Sequence, residues 1–349
     1  MKITGLAAGN PSRLVTNEEV LDLVRHHSHA TFEGDLERTV KLIDRLFHKS
    51  GIEARQWLGE DQHPMALMES AFDRALAQAG VHRNDVDLLV YAGVSRGFIE
   101  PANSTFVAKA LGLNCRNFDV VDACMGWVTA MEIINGKMKA GEIEHAVIVN
   151  IEFGSNKNGP IFPKNFSLNS ASELEFKYPS LTVGDAVTVT VLGKDTPGNF
   201  EFRFANHPEL SDLCTIALAG WKSYCSSSDI ERIAAQTEIF QFVSYGGLMH
   251  DKGAKITIDL ARQSRCQSSD IAHVFTHTSS PKMWGEWART VNLEKKVRGI
   301  GHRTGNIVTA SVPLAIVEAV GNGLLKRGEP CLAWVGSAGM VFSTVTFTF

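Results

Sequence analysis

The chain has 349 residues, of which 44% are hydrophobic and 21% charged, proportions of a soluble globular protein with one large or two ordinary domains. A formal net charge of −4 without any Lys/Arg block argues against nucleic acid as a partner. No run of about eighteen apolar residues offers a membrane span, and the six cysteines (115, 124, 214, 225, 266 and 331) make no Cys-x-x-Cys pair or zinc-like spacing with histidine, so no metal site is expected.

In chain order, Met1-Lys-Ile-Thr-Gly-Leu-Ala-Ala is too short an apolar stretch for a signal peptide, with Pro11 following soon after. A cytoplasmic protein with reduced thiols is therefore expected. Helices are predicted over 17–27, with Glu18 and Glu19 in the first turn, and over 65–79, ended by Gly80. A strand over 86–91 precedes a helix over 104–111, stopped by Gly112. A strand ending at Val120-Val121 leads into a helix over 125–140, stopped by Gly141. Strands follow over 145–151 and 188–192. The second half repeats the style, with a helix from 230 to 235 and onward, a strand over 273–276, helices over 281–291 and 311–320, and strands over 331–335 and 342–349. Apolar strands alternating with helices indicate an α/β protein with buried sheets. Residues 154–183 break the rhythm, being rich in Asn, Ser, Lys and Pro and then acidic and aromatic. Such a stretch is either a lid or binding loop or a loose surface insertion.

Three positions carry the candidate chemistry. Cys124 lies where a strand passes through Asp122-Ala123 into an apolar helix containing Trp127, Val128, Met131, Ile133, Ile134 and Met138. A thiol at a helix N-terminus meets unpaired N–H groups and the positive end of the dipole, which favour the nucleophilic thiolate. The alternative is a small core residue. His277 ends a strand just before Ser279-Ser280-Pro281, and Asn306 lies in a Gly-containing turn before a helix. Taken singly, His277 reads first as a structural histidine and Asn306 as a plain turn residue. Together, at the strand ends where open α/β sheets place their chemistry, they supply a nucleophile, a base and an orienting amide.

Asp122-Ala-Cys-Met-Gly126, His277, Gly305-Asn306 leading into Ala310-Ser311-Val312-Pro313, and Gly336-Ser-Ala-Gly339 resemble the thiolase superfamily. The similarity is to the branch around ketoacyl-acyl-carrier-protein synthase III, supported by Gly51-Ile52-Glu53-Ala54-Arg55 and Val183-Gly184-Asp185-Ala186. The resemblance implies a five-layered αβαβα fold with two similar halves, residues 1–193 carrying the nucleophile and 194–349 the histidine and asparagine, in a homodimer. Glu100-Pro101 resembles the head-to-head condensing enzymes of olefin biosynthesis and the pyrone-forming ketosynthases, in which this glutamate reaches across the dimer interface as a base. Two segments depart from the family pattern. Thr278-Ser279-Ser280 follows the histidine where Gln is usual, and Arg303-Thr304 precedes the Gly-Asn pair where an aromatic is usual; both could reshape the acyl tunnel or acceptor site.

The resemblance implies an acyltransferase that forms a C–C bond between two acyl thioesters. Cys124 would carry the first acyl group, with its oxyanion held by the backbone N–H of Cys124 and one near Ser337. His277 and Asn306 would hold the second carbonyl, and Glu100, its acidity weakened by an apolar pocket, would remove the α-proton. No cofactor is implied; CoA or acyl-carrier-protein thioesters are the substrates, and the β-ketoacyl product could cyclise to a pyrone. Decarboxylative condensation with a malonyl thioester, and acyl transfer to a small nucleophile, are the alternatives. A papain-like protease also runs Cys, His, Asn, but carries Trp directly after the cysteine where this chain has Met125. A silent subunit of a heteromeric synthase is at odds with retention of all three residues.

Overall fold

The structure, a computed structural model, describes residues 1–194, 200–234, 238–264 and 270–349. Cys266 and the predicted helical stretch at Ala235 lie outside the described residues. Strand Leu88–Ala92 is buried at every position, and so is Asp185–Gly193. Strands of that kind need cover on both faces, and the chain supplies it with helices.

The first sheet runs, edge to edge, Lys2–Gly9, Asp185–Gly193, His145–Phe153, Leu88–Ala92, Arg116–Val120. The last three strands are parallel; the other two pairings are antiparallel. The second sheet runs Glu201–Asn206, Val341–Thr348, Pro330–Ser337, His273–Thr276, again with the parallel pair at the far end. The two orders correspond strand for strand, except that no fifth edge strand joins the second sheet among the described residues. Cys214–Ile216 pairs separately with Phe242–Ser244.

Helices Gly126–Lys139 and Ser311–Gly321 lie between the sheets and share one core, with Trp127, Met131 and Ile134 packed among Val312, Ile316 and Phe347. Helices Pro64–Ala79 and Asn103–Ala110 cover the outer face of the first sheet through Phe72, Ala75 and Val107. Gly246–Gln263 and Pro281–Thr290 cover the second through Ala261, Trp284 and Trp287. The result is the five-layered αβαβα arrangement of the thiolase fold. The central core draws on both halves, while each sheet has its own outer cluster beneath its covering helices.

Residues 154–183 are not a loose insertion. Ile161, Phe166, Leu168, Leu174 and Leu181 are buried against helices Asn17–Ser28 and Leu36–Ser50. Buried Asn165 donates to the Phe242 carbonyl at 2.8 Å and accepts from Gln241 at 3.0 Å. Its polar composition reflects satisfied buried polar groups, including Lys177 paired with Glu173 at 2.8 Å.

Candidate active site

Strand Arg116–Val120 delivers the chain to Ala123, whose φ of 42° is left-handed. That conformation costs a non-glycine residue about 1–3 kcal/mol and is held only where the surroundings demand it. It turns the backbone sharply so that Cys124 stands at the head of the core helix. Met125 N–H donates to the Asp122 carbonyl at 2.9 Å and to Ser337 Oγ at 3.2 Å, fixing the turn to the second half.

The thiol is not a ready thiolate. Burial pushes its pKa well above the ordinary range, and neighbouring Cys214 and Glu152 push the same way. The Ala338 N–H and the Ser337 hydroxyl oppose them only in part. The helix terminus, read locally, favours the anion, but desolvation dominates. The 336–339 turn thus directs the Ala338 N–H at the sulfur, one residue beyond the expected Ser337, whose hydroxyl also reaches Cys124.

His277 follows strand His273–Thr276, its N–H donating to the Trp334 carbonyl at 3.1 Å. Its Nδ1 lies 3.1 Å from Ser311 Oγ, which donates to the Val308 carbonyl at 2.7 Å. Burial, with help from nearby His250, lowers its pKa to about 4, so the ring is neutral at neutral pH. Cys124 and His277 line one narrow cleft together with Trp127, Thr309, Ser311 and Val335.

Asn306 stands on the adjoining turn rather than on the cleft wall. Its N–H donates to the Thr182 carbonyl at 2.8 Å, and its own carbonyl accepts from Gly184 at 3.0 Å. Its Oδ1 accepts from Val308 N–H at 3.0 Å, so the amide presents Nδ2 as its donor. This seam leaves no room for side chains. A Cβ on Gly184 would stand 2.0 Å from the Thr304 carbonyl oxygen, and one on Gly305 2.3 Å from that of Thr182.

Glu100 is elsewhere. Its side chain is exposed on the loop after Leu88–Ala92, beside Phe98 and Ile99, which are 49% and 77% exposed. The apolar pocket expected around it does not exist within one chain, because the flanking apolar residues face outward. The departures from the family pattern are also absorbed. Thr278 Oγ1 accepts from Ile307 N–H at 3.0 Å and meets Ser311 Oγ at 2.9 Å, bracing the Asn306 turn. Ser280 donates to the Ser50 carbonyl, and exposed Arg303 pairs outward with Glu318. None of these residues lines the cleft.

Sequence reasoning missed Glu152. It is buried, beside Cys124, and accepts from the Thr309 hydroxyl at 2.5 Å. The available signal was a carboxylate inside the otherwise apolar run Ala146-Val-Ile-Val-Asn-Ile-Glu152. Among the described residues no cluster of His, Cys, Asp or Glu could hold a metal ion, and no helix is long and apolar enough to cross a membrane.

A family model described as 3-oxoacyl-[acyl-carrier-protein (ACP)] synthase III C terminal matches residues 261–349. A β-ketoacyl-[acyl-carrier-protein] synthase III from Streptomyces glaucescens is 22% identical over 99% of this chain and 96% of its own length. In structure, 3-oxoacyl-(acyl carrier protein) synthase III from Xanthomonas oryzae pv. oryzae superposes with a TM-score of 0.81 at 21% identity, covering 99% of this chain and 98% of the other. Xanthomonas campestris OleA with bound lauric acid and lauroyl-CoA does so with 0.81 at 20% identity, covering 99% and 98%.

Proposed function

We propose that this chain, a synthase III-like condensing enzyme of the thiolase superfamily, joins two acyl thioesters without decarboxylation through an S-acyl-Cys124 intermediate. The observation that carries the reading is the shared cleft of Cys124 and His277, at the ends of Arg116–Val120 and His273–Thr276, with the Asn306 turn beside it. Cys124 sulfur attacks the first acyl carbonyl and expels the thiol of CoA or a carrier protein, which takes up the cysteine's proton. We assign the charged oxygen at the attacked carbon to the Cys124 N–H and a backbone N–H of the 336–339 turn, a reading supported by the Ala338 N–H lying against the sulfur.

The second thioester's carbonyl oxygen receives hydrogen bonds from Asn306 Nδ2 and from His277 Nε2–H, the tautomer in which the Ser311 hydroxyl turns from the Val308 carbonyl to donate to Nδ1, and both favour its enolate. Glu100 of a second copy removes the α-proton, the carbanion attacks the acyl-enzyme, and a β-ketoacyl product leaves as Cys124 recovers a proton from Glu100. Two features support a homodimer. Arg116–Val120 is a sheet edge with one hydrogen-bonded neighbour, and Phe98, Ile99, Phe106 and Val121 are exposed on residues flanking it. The OleA neighbour, with lauroyl-CoA bound, favours long acyl substrates.

The synthase III relatives favour a second reading, in which a malonyl thioester loses CO₂ to generate the carbanion and Glu100 is not needed. One experiment separates them. The purified protein is incubated with lauroyl-CoA, Cys124 is checked for a lauroyl adduct by mass spectrometry, and a second portion of lauroyl-CoA or malonyl thioester is added. A β-ketoacyl product from lauroyl-CoA alone supports the proposal; product and CO₂ only with malonyl supports the second reading. Absence of an adduct with any thioester removes both.

A further inference from the structure

We propose that Glu152 is a positioning residue that ties the Glu100 loop to the Asn306 turn and so sets the acceptor half-reaction without touching substrate. The inference rests on the condensing reading above. Glu152 stands at the end of strand His145–Phe153, beneath both loops. Its Oε1 accepts from Val94 N–H at 3.1 Å and its Oε2 from Ser95 N–H at 3.2 Å, at the root of the loop that carries Glu100. The same Oε1 accepts from the Thr309 hydroxyl at 2.5 Å and from Thr309 N–H at 3.4 Å, just beyond Asn306.

Neighbouring bonds make this a frame rather than a single link. Phe153 N–H donates to Ser95 Oγ at 2.8 Å, and Asn150 Nδ2 donates to the Ala92 carbonyl at 2.6 Å. The Thr309 hydroxyl also lies 3.0 Å from that carbonyl, and its methyl packs on Gly126 at the head of the nucleophile's helix. A carboxylate is suited to the place because it can accept from several donors and has none of its own to clash. Burying it without a cation is expensive unless its oxygens are fully bonded, and no ion pair of Glu152 occurs among the described residues. The titratable groups facing it are Tyr91 and Cys124; Cys124 itself faces Glu152 and Cys214 and shares its cleft with His277.

The test uses Glu152→Gln and Thr309→Val in the full chain. Glutamine keeps the size but sets an NH₂ against a donor, so one loop loses its anchor. Cys124 should still take up a lauroyl group within a few-fold of the wild-type rate, while condensation falls about 10²-fold, the scale of a displacement near 1 Å. Burial raises the Glu152 carboxyl above the ordinary range, against the hydrogen bonds from Thr309, Val94 and Ser95. Over the alkaline range in which Cys124 ionises, the half-alkylation pH of Cys124 with iodoacetamide should move down in Glu152→Gln, because a negative charge no longer opposes the thiolate. It should stay in place in Thr309→Val, which keeps the charge, breaks the link and slows condensation. Equal loss of both half-reactions with an unmoved alkylation profile, or wild-type condensation in either variant, overturns the proposal; if Glu152→Gln does not fold, Thr309→Val decides. A wild-type protein that makes no product refutes the condensing reading instead, and the two failures are distinct.

Discussion

Cys124 and Glu100 lie on loops that follow parallel neighbouring strands of one sheet, yet their surroundings are opposite. Around Cys124 the positioning groups are braced: Met125 N–H by Ser337, His277 Nδ1 by Ser311, the Asn306 turn by Thr278 and Thr182. Around Glu100 the apolar residues Phe98 and Ile99 face outward at a sheet edge. The buried centre brings Cys124 and His277 together within one chain. An exposed acid set among exposed apolar side chains is, on the proposed reading, completed by a second copy of the same edge.

Substitutions break or sharpen that contrast. The largest effect is expected for Cys124→Ser, which keeps the shape but has no accessible anion; no acyl adduct should form by mass spectrometry, with the melting temperature unchanged. An adduct elsewhere on the chain would move the nucleophile. Next is Glu100→Gln, which should take up an acyl group on Cys124 yet lose about 10²–10⁴ in condensation of non-malonyl thioesters. Mixing it with Cys124→Ser protomers restores activity if the acid acts across the interface, since one site of a mixed dimer then holds both groups. A mixture that stays dead makes the loop complete its own chain's site.

His277→Ala and Asn306→Ala should each slow condensation by roughly 10²–10³, and self-acylation far less, because both serve the second thioester. Equal losses would assign them to the first. The smallest effect concerns stability. Burial lowers both His250 and His277 to about 4, below the value near 6.5 expected of an unfolded chain. Between those values the unfolded chain binds more protons, so stability is full above about pH 6.5 and declines as pH falls through 4. Melting temperatures across that window should drop, and His250→Asn should flatten part of the slope; a flat wild-type profile would mean that these rings are solvated.

The positions of Cys124 and His277 were legible because each follows a predicted strand, whereas Asn306 follows the short helix Gly301–Thr304 and its turn is marked only by Gly305. Most element boundaries were close, as with Pro64–Ala79 against a predicted 65–79 and Asn103–Ala110 against 104–111. Helix Gly246–Gln263 was not foreseen, since Gly246, Gly247 and Gly253 argue against one. Gly253 is there because a Cβ would meet the Phe342 ring at 2.6 Å. The protonated state of Cys124 was misjudged for a related reason. A helix terminus is visible in a short stretch of sequence, whereas desolvation by burial, with the charge repulsion of Cys214 and Glu152 added to it, is a property of the assembled interior. Glu152 itself was hidden because its partners Val94 and Thr309 are remote in sequence and donate mainly through backbone groups.

The sheltered thiol has a consequence for the protein's chemical endurance. Peroxides and small electrophiles react with cysteine chiefly as its anion, through the sulfenic acid and onward to forms that cells do not repair. A Cys124 thiol whose anion is disfavoured by burial in a narrow cleft offers such reagents little to attack. Under the proposed reaction it is the incoming thioester that calls on this sulfur, so a residue whose chemistry invites oxidative loss is shielded from it by its setting.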